Sequence, residues 1–110
     1  MDVYHISVDL KPGIRDSQFV GALDAHLGRL KSEGLIENWR LLRSKLGLTP
    51  AHFGEFQVLI ETRDLAQLDA AFREVSTRSE PVESVHFAVN SLVANFKAGL
   101  WRDFPDPHRH

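Results

Sequence analysis

Six side chains of this chain combine the right types and spacing for proton transfer or for holding a small polar molecule: His5, Arg40, Glu55, Gln57, His86 and Asn90. A histidine titrates near neutrality, so His5, in the middle of the first alternating run, is a general acid/base candidate. Glu55 directly follows Gly54 and is a second candidate base; His86 is a third. Arg40 offers a planar donor fork suited to a carboxylate or enolate oxygen. Gln57 and Asn90 supply amides that would orient a ligand. Each also has a plain structural reading: a hydrogen-bonded strand histidine, a cross-strand ion pair of Arg40 with Glu55 or Glu61, or a Glu55 that satisfies loop amides near Gly47 and Thr49.

Other chemistries lack their residues. The sequence contains no cysteine, which excludes disulfides, thiolate catalysis and cysteine-held zinc or iron–sulfur centres. His5, His26, His52 and His86 are scattered without a metal-binding spacing, and neither a glycine-rich phosphate loop nor a Gly-x-Ser-x-Gly string occurs. No metal and no cofactor are expected.

The elements that must position the six residues follow from hydrophobic period. Tyr4, Ile6, Val8 and Leu10 alternate with His5, Ser7 and Asp9, which predicts a strand closed by Lys11-Pro12-Gly13. Asp16 or Ser17 is placed to cap a helix carrying Phe19, Leu23, Leu27 and Leu30 and ending at Gly34; His26 lies at the boundary of that stripe. Strand character returns around Trp39, Leu41 and Leu42, and again over Phe53 to Thr62, where Phe56, Val58 and Ile60 alternate with Glu55, Gln57 and Glu61. Asp64 and Gln67 form a capping-box pattern ahead of Leu65, Leu68, Ala71, Phe72 and Val75.

Two readings of the last third stay open. Val85, Phe87 and Val89 alternate as a fourth strand, to be followed by a helix from Ser91 to Phe104; alternatively Val82, Val85, Val89, Leu92, Phe96 and Leu100 lie on one helical stripe opening at Pro81. The first reading completes a β-α-β-β-α-β order: an α+β, ferredoxin-like antiparallel sheet with two helices on one face, plus a C-terminal helix. It spans residues 1–104 as a single domain, with 105–110 as a flexible tail. His5, Arg40, Glu55, Gln57, His86 and Asn90 then share the face that the helices leave bare.

A length of 110 residues with 43% hydrophobic and 25% charged residues is ordinary for one globular domain. The formal net charge of -2, without a basic run, excludes the footprint of a nucleic-acid binder. Neither a signal peptide nor a membrane-length apolar run is present, so the expected location is cytoplasmic. A sheet bare on one side in so short a chain favours a homodimer that covers it.

The strings Arg43-Ser44-Lys45-Leu46-Gly47, Gly54-Glu55-Phe56, Val89-Asn90-Ser91-Leu92-Val93 and Asp103-Phe104-Pro105-Asp106 resemble those of an uncharacterised bacterial family within the dimeric α/β-barrel superfamily. The resemblance implies sheets paired across a two-fold axis and, from characterised members, cofactor-independent chemistry on small organic substrates. The resulting expectation is a homodimer that binds a small polar or anionic molecule on the helix-free face, with His5, Glu55 and His86 as catalytic groups and Arg40, Gln57 and Asn90 as binding groups. The alternative is a non-catalytic dimeric interaction module.

Overall fold

The computed structural model describes residues 1–76 and 89–105. Its elements are β1 (Asp2–Leu10), α1 (Asp16–Ser32), β2 (Asn38–Arg43), β3 (Phe56–Thr62), α2 (Leu65–Ser76) and β4 (Val93–Arg102). The strands form one antiparallel sheet in the order β2-β3-β1-β4. This is the ferredoxin-like split arrangement that the β-α-β-β-α-β order implies.

Alternation divides the sheet cleanly. Tyr4, Ile6, Val8, Trp39, Leu41, Phe56, Val58 and Ile60 point to the helices and join Phe19, Leu23, Leu27 and Leu30 of α1 and Ala71 of α2 in one core. Phe19 packs on Phe56 with ring centroids 5.3 Å apart. The turn after β1 uses Gly13 at φ 84°, and α1 stops at Gly34 at φ 75°, both in the left-handed region glycine tolerates.

The expected cap of α1 is corrected: Arg15 occupies the N-cap without a side-chain hydrogen bond, and Asp16 is the first helical residue. Its carboxylate accepts a 2.8 Å bond from Arg43 instead. The capping pattern of α2 is realised, since the Gln67 amide N–H donates to Asp64 Oδ1 at 2.8 Å and Gln67 Oε1 accepts from the Arg63 amide at 2.8 Å. Gln67 Nε2 also donates to the Gly34 carbonyl and to Glu37, so one buried amide ties α2 to the end of α1 and the approach to β2.

The larger correction concerns the C-terminal third. The expected helix from Ser91 to Phe104 is the strand β4, paired with β1 along the length of both. Val85 and Phe87 lie outside the described residues, while Val89 and Asn90 are helical. The apolar positions Phe96 and Leu100 fit a helical stripe, yet Phe96, Ala98 and Leu100 also alternate with Lys97, Gly99 and Trp101. Pairing with the free edge of β1 selects the period of two, a tertiary effect that local spacing does not carry. Asn95, at φ 56°, sits where the register shifts between Ser7 and Asp9, so a bulge also interrupts the alternation. The tail expectation for 106–110 lies outside the described residues.

Candidate functional site

Register fixes three rows across the helix-free face. Asn38, Glu61, Val3 and Trp101 form the first; Arg40, Leu59, His5 and Gly99 the second; Leu42, Gln57, Ser7 and Lys97 the third. His5 and Gln57, 52 positions apart in the chain, are thereby brought into hydrogen-bond contact, with His5 Nε2 and Gln57 Oε1 at 2.6 Å.

The protonation of that contact follows from its neighbours. Gln57 Nε2 donates to the Gly54 carbonyl at 2.9 Å and to Ser7 Oγ at 3.1 Å. A carbonyl only accepts, so the amide nitrogen must face Gly54 and the amide oxygen must face His5. His5 therefore donates through Nε2–H, which leaves Nδ1 able to accept a further bond. Ser7 Oγ also accepts from the Gly54 amide at 2.7 Å. Gly54 can only be glycine here: a Cβ would lie 2.3 Å from the Val8 carbonyl oxygen.

Aromatic rings flank the histidine. Phe53 lies 6.2 Å and Trp101 6.5 Å from the His5 ring, and the indole packs beside Gly99. The loop carrying Phe53 is held over this end of the face by Lys97 Nζ, which donates to the His52 carbonyl. Beside it, Asp9 accepts from the Glu55 amide at 2.9 Å and from Asn95 Nδ2 at 2.9 Å. The Asn95 bond, then the Glu55 amide, lower the Asp9 carboxyl below its ordinary value.

The other expected residues are dispersed. Glu55 pairs with Arg43, whose Nε and Nη2 both donate to Glu55 Oε2 at 3.1 Å while Nη1 reaches Asp16. That exposed Arg43 fork, above the Phe56 ring at 5.5 Å, braces the sheet edge against the start of α1. The hydrogen bond to Glu55 and the two carboxylates hold the guanidinium above its usual value. Arg40 is exposed in the row of His5. His86 lies outside the described residues, and Asn90 stands on the helix side of the sheet, where it lines the cavity described next.

That helix side holds a cavity of about 1040 Å³ between the sheet and the helices. Its walls are mostly apolar, from Ile6, Leu23, Val58, Ala71, Phe72 and Phe96 among others. Tyr4, His26, Ser76 and Asn90 are its polar side chains among the described residues. Tyr4 meets Phe72 edge-on at 5.1 Å, and burial pushes its phenol up from the ordinary value. His26 is 8% exposed and sits in the α1 stripe rather than at its boundary. Its spacing, three after Leu23 and four before Leu30, carried that signal. By contrast, the hollow beside Gln57 and Phe53 on the helix-free face measures about 140 Å³.

No group of three or more potential metal-ligating side chains occurs among the described residues. No helix there is long and apolar enough to cross a membrane.

Solved structures similar to this fold share little sequence with it. SnoaB, a cofactor-independent oxygenase from Streptomyces nogalater, superimposes with a TM-score of 0.63 at 12% identity over 96% of this chain and 95% of its own. A dimeric ferredoxin-like protein of unknown function from Jannaschia sp. gives 0.62 at 14% identity, covering 94% of this chain and 100% of that one. Another, from Thermobifida fusca, gives 0.59 at 15% identity over 92% and 90%. No curated protein matches the chain. These likenesses concern the fold. The sequence itself, over residues 1–110, belongs to DUF6614, a family of unknown function.

Proposed function

We propose that the protein is a homodimer closed over its helix-free sheet face, and that each subunit holds a small, mostly apolar organic molecule between sheet and helices. The observation that carries this reading is the cavity of about 1040 Å³, whose apolar walls and few polar groups have the character of a small-molecule pocket. Tyr4, kept protonated by burial, would donate to or accept from a ligand oxygen, and the His26 imidazole lines the same cavity from α1. SnoaB is a cofactor-independent oxygenase on the same fold; by analogy alone, acid/base chemistry without a cofactor suits a pocket whose reactive groups are a phenol and an imidazole.

The homodimer accounts for the other face. Leu42, Phe53 and Trp101 are exposed there around a polar string whose bonds are already made internally, the pattern of an interface rather than of an open site. The similar proteins from Jannaschia sp. and Thermobifida fusca are dimers. His5, Gln57 and Arg40 then serve assembly. A second reading, a polar ligand at His5, is favoured by the unused Nδ1 between Phe53 and Trp101.

Titration with 1-naphthol as an apolar phenolic probe separates the two. Ala71→Phe, which fills the cavity from α2, should abolish binding while His5→Ala leaves it unchanged. Binding lost in His5→Ala and kept in Ala71→Phe would move the site to the helix-free face. Absence of binding to the wild-type protein at millimolar probe would overturn the pocket.

A further inference from the structure

We infer that the β2–β3 loop is a prebuilt arm that docks on a second copy of this chain, at the far end of that copy's helix-free face, where Glu61, Val3 and Trp101 stand in a row. The inference rests on the homodimer proposed above and names the surfaces that meet.

Backbone conformation supplies the first observation. The Leu48 amide donates to the Lys45 carbonyl at 2.9 Å, with Leu46 at φ 57° and Gly47 at φ 68° between them. Two successive positive φ values closed by that bond define a type I′ turn, whose first central position favours asparagine, aspartate or glycine. Leucine there is disfavoured by the clash of its Cβ with the backbone. Nothing among the described residues compensates for it, because the Leu46 side chain is 90% exposed and Leu48 80%.

The arm is nevertheless shaped rather than loose. Ser44 Oγ and Thr49 Oγ1 are hydrogen-bonded, the Ser44 amide donates to the Glu55 carbonyl, and the Phe53 amide to the Pro50 carbonyl. A preformed arm bearing two bare leucines loses little entropy on docking.

The second observation is charge. Lys45 at the arm's tip is exposed and makes no ion pair among the described residues. The arm rises beside Ser7, Gln57 and Asp9, at one end of β1. At the other end lie Glu61, on the face beside Val3, and Asp103, which pairs with the N-terminal amine. Between these acids Trp101 is 62% exposed, and Phe104 just beyond is 87% exposed.

The arm's tip is thus apolar with one lysine, and the far end sets Trp101 in the same row as the Glu61 carboxylate. A two-fold axis lying in the interface and running across the strands places each arm on the opposite end of its partner, twice over, with Lys45 reaching Glu61. An axis along the strands would instead keep both arms at the same end of the strands and set each over the partner's β1–β4 side, away from Glu61.

The chain has no cysteine, so introduced thiols report contact directly. Sedimentation of the wild-type protein comes first; a monomer at micromolar concentration would refute the homodimer and this inference together. Given a dimer, the double variant Leu46→Cys with Glu61→Cys should oxidise to a covalent dimer, while each single variant yields at least about fivefold less. Equal cross-linking by Leu46→Cys alone, or none by the double variant, would overturn the docking and leave the homodimer standing. Leu46→Asn supplies the second reading: the turn is relieved, so the unfolding midpoint should hold or rise while the dimer Kd weakens about tenfold or more. An unchanged Kd would count against the arm.

Discussion

The two faces of one sheet have opposite problems. On the helix side, apolar side chains converge but leave a cavity of about 1040 Å³, so packing contacts are missing. On the bare side no comparable space exists among the described residues, yet His5, Gln57, Ser7, Asp9 and the loop amides are bonded to one another. Volume with mostly apolar walls suits a mostly apolar guest. Polar groups without volume suit rigidity, because a fully satisfied network holds its members in one geometry and penalises every alternative. The same alternation produces both outcomes, since each strand sends every second residue to each side.

The contrast can be broken most severely at Gly54. Gly54→Ala places a Cβ 2.3 Å from the Val8 carbonyl oxygen, so β1 and the start of β3 must part and the bond to Ser7 is lost. A loss of about 3 kcal/mol or more in urea-monitored stability is expected, in the class of steric backbone conflicts. A loss under about 1 kcal/mol would show that the network tolerates movement and that the bare face is not rigid.

Gln57→Leu tests the network without steric conflict. It leaves His5 Nε2 without its acceptor and the Gly54 carbonyl without one donor, for a loss of about 1–3 kcal/mol. Nitrogen-15 chemical shifts of His5 should report the Nε2–H tautomer in the wild type and a mixture in the variant. A wild-type Nδ1–H tautomer would reverse the assigned amide orientation.

Asp9→Asn has the smallest effect and a defined pH window. The folded carboxyl lies below its ordinary value of 3.8, so its ionised form contributes stability that is fully present above that value and is lost as pH falls through the lower, folded one. Wild type should therefore exceed the variant in urea midpoint at neutral pH, and the gap should close at strongly acidic pH. A gap independent of pH would assign the role of Asp9 to packing.

Much of this architecture is legible in the residues because its signals are local. Tyr4 to Leu10 and Phe56 to Thr62 alternate, the α1 stripe repeats at helical spacing, and Asp64 with Gln67 marks the start of α2. β4 is not legible: Phe96 and Leu100 satisfy both periods, and the bulge at Asn95 breaks the alternation that would have decided between them.

The site divides in the same way. His5 and Gln57 fall on the same face by alternation, but their contact depends on the β1–β3 register, a property of the pair of strands. Glu55 reads in the sequence as a base, a partner of Arg40 or a group for loop amides, whereas its observed partner, Arg43, is chosen by the shape of the loop between them. The cavity was invisible altogether, since an unfilled volume is a property of how layers meet and leaves no mark on any single stretch of chain.

The bulge at Asn95 has one more consequence. β4 is the longest strand and forms an outer edge of the sheet, and an unbroken ten-residue edge would offer a template on which an unfolded neighbour could align. Asn95 in the left-handed region turns the backbone out of line near the start of that edge, with its amide engaged by Asp9. The irregularity that hides β4 from a reader of the sequence thereby also hides its edge from other chains, and guards against fibrous self-association.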